Sequence, residues 1–173
     1  LVYASFTGVR SDLMTLQTQH PLYLAAQVQK AASIEALVKI CRQVPKLFEL
    51  MLASGMRAEQ VPKVLTTIND AVTRRLIGLA QQQLGPPPAP FAWLAFGSQA
   101  RAEQSIKTDQ DNGIVYADRA PPGADAWFAA LARIVCDGLD ACGYPYCPGR
   151  IMATTDEWRQ PLSGWLQHFR TWA

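Results

Sequence analysis

The chain has few residues of the kinds that build common metal sites. It holds only two histidines and four cysteines in 173 residues. The cysteines are Cys41, Cys136, Cys142 and Cys147, and no two of them form a Cys-x-x-Cys pair. That spacing argues against a zinc site of the usual kind. We expect four reduced thiols and disfavour a disulfide between Cys142 and Cys147.

Charge and long apolar runs are also scarce. Charged residues make up 17% of the chain and its net charge is +2, too little to predict nucleic acid or an anionic membrane as a partner. No apolar run approaches the roughly 20 residues that cross a bilayer, and no basic-then-apolar signal segment opens the chain. The sequence therefore predicts a cytoplasmic protein. Because it starts without a methionine, it reads as a piece of a longer chain.

What is present is a globular composition with a helical first half. Hydrophobic residues make up 49% of the chain, enough for a real core. From Ser33 to Met51 they recur at helical spacing, with Ser33 as a plausible N-cap and Pro45 expected to kink or split the helix. A less regular helix is expected around Leu13 to Lys30.

A further helical pattern runs from Val61 and ends at Leu84, where Gly85 occupies a typical C-cap position. Together these segments predict an antiparallel helical bundle over residues 1–85. The proline-rich stretch 86–90 can be neither helix nor central strand, so it marks the best internal boundary.

The second half has the texture of a mixed α/β region. Phe91 to Phe96 predicts a buried strand, and residues 99–104 suggest one or two helical turns. Residues 124–139 predict an amphipathic helix, and Arg150 to Ala153 a further strand. Residues 158–173 have helical spacing and are expected to begin a truncated C-terminal helical domain.

The residues best suited to bind a ligand lie in one motif with two parts. The predicted strand delivers Gly97 and Ser98, where glycine lets the backbone approach a phosphate and the N–H groups and hydroxyl bind its oxygens. Asp109 and Asp111 stand two residues apart, which on an extended strand places both carboxylates on one face, roughly 7 Å apart. Two carboxylates with triphosphate oxygens suit Mg²⁺, so the stretch predicts a metal and nucleotide site.

The same residues carry a resemblance. A strand ending in Gly-Ser, followed about a dozen residues later by Asp-x-Asp, resembles the DNA polymerase beta-type nucleotidyltransferase superfamily. The finer pattern Gly97-Ser98-x-x-Arg101-x-Glu103-Gln104 before Thr108-Asp109-Gln110-Asp111-Asn112 resembles a narrower family related to the PII-protein uridylyltransferase. Its members are commonly fused downstream of cyclic-nucleotide-binding and CBS domains. Cys147-Pro148-Gly149, Met152-Ala153 and Trp158-Arg159 extend the likeness downstream.

The resemblance implies an α+β fold with a small mixed-sheet nucleotidyltransferase domain over residues 86–157, preceded by the helical bundle. It implies that Gly97, Ser98 and Arg101 hold nucleotide phosphates. Asp109 and Asp111 would be catalytic and would ligate Mg²⁺ or Mn²⁺.

The superfamily usually adds a third carboxylate from a later strand. The predicted strand from Arg150 to Ala153 contains no acid, although Asp156 and Glu157 follow it. Glu103 is expected to be structural, pairing with Arg101 or capping a helix end.

Two functions follow from these observations. The first is a Mg²⁺-dependent transfer of a nucleoside monophosphate from an NTP to a hydroxyl, with a regulatory protein as a candidate acceptor. The alternative is a catalytically inactive nucleotide-binding module that signals through the helical domain. In both, the expected partners are a nucleoside triphosphate and, in the full-length protein, upstream CBS or cyclic-nucleotide-binding domains.

Overall fold

The computed structural model describes residues 21–172. Four helices occupy the first half of the described chain. They are α1 (Pro21–Lys30), α2 (Ile34–Cys41), α3 (Val44–Ala53) and α4 (Val61–Leu84). The first three each pack against the long helix α4. The helix expected around Leu13 to Lys30 is confirmed from Pro21 onward, and its earlier part lies outside the described residues.

The boundaries of these helices follow from local chemistry. Ser33 is extended, and its hydroxyl oxygen accepts a hydrogen bond from the Ala36 N–H at 3.2 Å, which confirms it as the N-cap of α2. Pro45 lies in the first turn of α3, so the predicted helix from Ser33 to Met51 is split into two as expected. Gly85 ends α4 with a φ of +83°, a conformation that glycine adopts without steric cost.

The second half forms a three-stranded sheet with helices around it. Its elements are β1 (Phe91–Ala95), α5 (Gly97–Ala100), β2 (Asn112–Tyr116), α6 (Ala124–Ala141), β3 (Arg159–Pro161) and α7 (Leu162–Trp172). The central strand β2 pairs antiparallel with β1 and parallel with β3. The expected α+β class, with a small mixed sheet, is confirmed.

The predicted strand from Arg150 to Ala153 is wrong. This apolar run forms turns, with Arg150 at a φ of +57° and the Met152 N–H donating to the Arg150 carbonyl at 2.9 Å. The backbone of this run is therefore hydrogen-bonded without forming a regular β-ladder. The third strand instead follows a 3₁₀ turn (Asp156–Trp158), and buried Arg159 joins it to Ile114 of β2.

The short helix in the motif also differs from the prediction. It begins at Gly97 and ends at Ala100, whereas residues 99–104 were expected to be helical. The Gln99 amide donates to the Asp70 carboxylate of α4 at 2.9 Å, which ties this turn to the long helix.

Helix α6 packs closely on α4 through a glycine. A Cβ added at Gly138 would lie 2.5 Å from Cδ2 of Leu76, which is fully buried. One core runs from the helices of the first half to the sheet and α6; its fully buried members include Leu37, Leu76, Ile114, Phe128 and Val135. The division into residues 1–85, 86–157 and 158–173 stays a prediction, because packing does not tell which segments fold alone.

Among residues 21–172, no helix is both long and apolar enough to cross a membrane. All four cysteines are buried and free in the structure.

Candidate nucleotide and metal site

The Gly-Ser turn follows directly from β1. The Phe96 N–H donates to the Asp111 carbonyl at 3.0 Å, so the chain just before Gly97 is paired with the second half of the motif. Gly97 has a φ of +54°, and the Ser98 carbonyl accepts a hydrogen bond from the Glu103 N–H at 2.9 Å. Because α5 is only four residues long, any phosphate binding here depends on the glycine and serine and not on a helix dipole.

Gly97 and Asp111 are in close contact. A Cβ added at Gly97 would overlap the Oδ2 atom of Asp111. The positive φ and this close approach both require glycine. The structure thus brings the Gly-Ser turn and the acidic triplet together, as the motif predicted.

Asp109 and Asp111 precede the regular strand β2, which begins at Asn112. Their common orientation comes instead from Gln110 between them, which forms an isolated parallel bridge with Tyr146. The Gln110 side chain is buried, and its amide donates to the Cys136 and Tyr144 carbonyls at 3.0 Å each. Because side chains alternate along an extended chain, the two half-buried aspartates lie on the opposite side from Gln110.

A buried amide fixes the chain just after the aspartates. The Asn112 Oδ1 atom accepts hydrogen bonds from the Ala153 N–H at 2.9 Å and from the Cys136 thiol at 3.5 Å. The Asn112 amide donates to Gln110 Oε1 at 3.2 Å. The Asn112 N–H donates to the Ile151 carbonyl at 3.0 Å. This network holds the acidic triplet against the turn-rich segment after Tyr146.

We expect Asn112→Ala to lower the free energy of unfolding by about 1–3 kcal/mol, because it leaves the buried Ala153 N–H without a partner. Urea denaturation measures the change. Asn112→Asp keeps the acceptor, so it should retain the bond to Ala153 while losing the one to Gln110. Equal stability of Asn112→Ala and the wild type would contradict the role of this network.

A third side chain joins the two carboxylates. The Cys147 sulfur and one oxygen each from Asp109 and Asp111 all lie within 4.8 Å of one another. Burial, and then a hydrogen bond to the Asp111 carboxylate, raise the pKa of the Cys147 thiol. Among the described residues, no other trio of histidine, cysteine or acidic side chains brings its ligand atoms so close.

Sequence reasoning did not assign Cys147 to the site. Cys147-Pro148-Gly149 entered only as part of the family resemblance, and no short spacing links it to the aspartates. The Arg150 N–H donates to the Cys147 carbonyl at 2.9 Å, closing a turn in which Pro148 occupies a position that favours proline. The position of Cys147 in a turn with Pro148 is the only feature of the sequence that could have pointed to this cysteine.

The sequence model of one family, described as Putative nucleotidyltransferase DUF294, matches residues 42–173. The chain belongs to this family. The match covers well over half of the chain and includes the Gly-Ser turn, the acidic triplet and Cys147. The resemblance to nucleotidyltransferases is therefore confirmed at the level of the family. No curated protein and no solved structure shows a match to the chain.

Two further positions of this nucleotidyltransferase chain bear on the site. The Arg101 guanidinium pairs with the Glu103 carboxylate at 2.8 Å, and both side chains are exposed. The expected structural pairing of Glu103 is confirmed. A phosphate contact of Arg101 stays a prediction.

The acids after the predicted third strand do not join the carboxylate pair. The Asp156 carboxylate accepts a hydrogen bond from the buried Arg159 guanidinium and is otherwise exposed. Neither Asp156 nor Glu157 belongs to the cluster of Asp109, Asp111 and Cys147. In the described part of the chain, the third position beside the aspartates is therefore a thiol.

Proposed function

We propose that this protein is a Mg²⁺-dependent nucleotidyltransferase that moves a nucleoside monophosphate from an NTP to a hydroxyl. The observation that carries the proposal is the convergence of Asp109 and Asp111, with Asp111 in contact with Gly97, in a chain of a nucleotidyltransferase family. Hard carboxylate oxygens in a half-open position suit Mg²⁺, which keeps room for substrate oxygens.

The phosphates are assigned to the turn after β1. Gly97 has no side chain to block the approach of a phosphate, and Ser98 offers a hydroxyl and a backbone N–H. Arg101 contributes a planar guanidinium that fits phosphate oxygens. Its present pair with Glu103 is exposed, and such pairs contribute about 0–1 kcal/mol, so exchanging Glu103 for a phosphate costs little.

The cation is assigned to Asp109 and Asp111, each providing a carboxylate oxygen. Bound there, Mg²⁺ or Mn²⁺ would neutralise charge on the phosphates and the pyrophosphate leaving group and favour ionisation of the attacking hydroxyl. The bridge between buried Gln110 and Tyr146 keeps both aspartates facing the same space, so binding requires little further ordering of the chain.

The acceptor and the wider context follow from the resemblance to the PII-protein uridylyltransferase. We propose a tyrosine hydroxyl on a regulatory protein as the acceptor, and CBS or cyclic-nucleotide-binding domains upstream as the source of regulation. Four buried free thiols are in keeping with a cytoplasmic location. No nucleic-acid partner is proposed, because the net charge is only +2.

Metal-dependent NTP binding is the first test. Calorimetric titration with each NTP should give tighter binding with Mg²⁺ than without it. In the double variant Asp109→Asn and Asp111→Asn, affinity with Mg²⁺ should fall by about tenfold or more, because both proposed ligands are lost. Undiminished binding by that variant would overturn the metal assignment.

A matched control keeps the charge change and leaves the site intact. Glu59 and Asp140 are exposed carboxylates without a hydrogen bond to the motif. The double variant Glu59→Gln and Asp140→Asn removes the same two negative charges, so its NTP affinity should equal that of the wild type. A parallel loss in the control would mean that net charge, not ligation, governs binding.

The structure also supports the alternative of a catalytically inactive nucleotide-binding module. A thiol occupies the third position beside the aspartates, and Asp156 is engaged by Arg159. A site without a third carboxylate has less means to deprotonate an acceptor hydroxyl. One assay of the full-length protein distinguishes the two functions. An enzyme releases pyrophosphate and labels an acceptor, whereas a sensor binds NTP without releasing pyrophosphate or labelling an acceptor.

A further inference from the structure

The buried wall of the proposed metal site is a thiol. Cys147 is 7% exposed, whereas Asp109 and Asp111 are half-buried and form the open side. The two segments meet at the parallel bridge between Gln110 and Tyr146, so Cys147 directly follows one bridge residue as Asp111 follows the other. This register explains why the sulfur lies beside the carboxylates although 36 positions separate Asp111 from Cys147.

We propose that Cys147 is the third protein ligand of this site, and that the site therefore binds thiophilic divalent cations, such as Zn²⁺, Co²⁺ and Cd²⁺, more tightly than Mg²⁺. The inference rests on the proposed function for the presence of a cation between the aspartates. It goes beyond it in naming the third donor and the class of ion preferred.

The chemistry of the donor set carries this step. Mg²⁺ takes oxygen ligands almost exclusively, whereas thiolate ligands favour Zn²⁺ and its neighbours. Zinc bonds of about 2.0–2.3 Å place the donor atoms of a tetrahedral site about 3.5 Å apart. The three atoms here lie within 4.8 Å of one another, so small side-chain rotations are enough to close the site. Substrate or water oxygen fills the fourth position.

The glycine opposite supports the same geometry. Any side chain at Gly97 would push into the Asp111 Oδ2 atom. Asp111 is thus confined from the Gly97 side, and one of its carboxylate oxygens lies within 4.8 Å of the Cys147 sulfur. One carboxylate is therefore close to both the phosphate turn and the third ligand.

Cobalt provides a readout that does not depend on activity. Titrating the whole chain with Co²⁺, without NTP, should produce a near-ultraviolet sulfur-to-cobalt charge-transfer band in the wild type. Cys147→Ser and Cys147→Ala should both lose that band, and Cd²⁺ affinity should fall about 10–100-fold while Mg²⁺ affinity changes little. Circular dichroism establishes that the variants are folded, and either variant suffices.

Two thiols outside the site supply the control. Cys41 and Cys142 are buried and line one small cavity. The double variant Cys41→Ser and Cys142→Ser should keep the charge-transfer band, since neither residue belongs to the cluster with the aspartates. Loss of the band in this variant, with retention in Cys147→Ser, would overturn the proposal.

The outcomes also separate this inference from the proposed function. In one outcome, the wild type binds Co²⁺ without a sulfur-to-cobalt band and the double variant Asp109→Asn and Asp111→Asn does not bind it. That outcome would overturn the role of Cys147 and leave the carboxylate site intact. No Co²⁺, Cd²⁺ or Mg²⁺ binding at all would overturn both. Cys147→Asp should restore an all-oxygen triad and reverse the preference, raising Mg²⁺ affinity relative to Cd²⁺.

Discussion

Gly97→Ala is expected to reduce the affinity for NTP with Mg²⁺ by about 100-fold. The new methyl group would overlap Asp111 Oδ2, displace this proposed ligand and narrow the approach of a phosphate. The expected loss corresponds to two factors of ten of about 1.4 kcal/mol each. At a φ of +54° a residue with a Cβ is also strained by about 1–2 kcal/mol, which lowers the free energy of unfolding and not the affinity. Calorimetry with each NTP measures the loss of affinity.

Gly55→Ala is the matched control for backbone strain. Gly55 has a φ of +74°, and a Cβ added there would meet no atom within 4 Å. Both variants should lose about 1–2 kcal/mol of the free energy of unfolding through backbone strain, and Gly97→Ala should lose more because of its overlap with Asp111; only Gly97→Ala should lose nucleotide affinity. If Gly97→Ala binds NTP as the wild type does, the Gly-Ser turn is not the phosphate site.

Local patterns predicted most of the elements. Ser33 and Gly85 mark helix ends because capping depends on one residue and its immediate neighbours. The strand before Gly97 and the helix from Ala124 were predicted from apolar runs whose length and period are distinctive. These features need no information about distant parts of the chain.

The convergence of Asp109 and Asp111 was predicted for a partly different reason. The expectation placed both on one regular strand, whereas β2 begins only at Asn112. Alternation still holds because Gln110 is extended and bridged to Tyr146. One extended residue between the aspartates is enough to place both side chains on the same side of the chain. The prediction therefore does not depend on where β2 begins.

Contacts between distant segments could not be predicted. The run from Arg150 to Ala153 has the composition of a strand, yet its neighbours are turns, and the ladder beside β2 is formed by Arg159. Cys147 reaches the aspartates only because Tyr146 pairs with Gln110. The composition of a strand does not specify the segment with which it pairs. The register between two segments 36 positions apart leaves no pattern in the local sequence.

The contact between α4 and α6 yields the largest expected effect on stability. Leu76 is fully buried and lies against Gly138, so Leu76→Ala should lower the free energy of unfolding by about 2–5 kcal/mol. Gly138→Ala inserts a methyl group into the space that Leu76 Cδ2 occupies and should cost about 1–3 kcal/mol. Urea denaturation of each variant measures both losses.

The double variant decides whether the two residues act on one another. Leu76→Ala removes the atoms that the methyl group introduced by Gly138→Ala would meet, so the combined loss should fall short of the sum by about 0.5–3 kcal/mol. Gly78→Ala is the control, because its Cβ would make an ordinary 3.8 Å contact with Arg75, and it should stabilise α4 by about 0.5–1 kcal/mol. Strictly additive losses at Leu76 and Gly138 would show that the cost of the methyl group at Gly138 does not arise from its contact with Leu76. The close approach at Gly138 would then not be what joins the first-half helices to the half of the chain that carries the site.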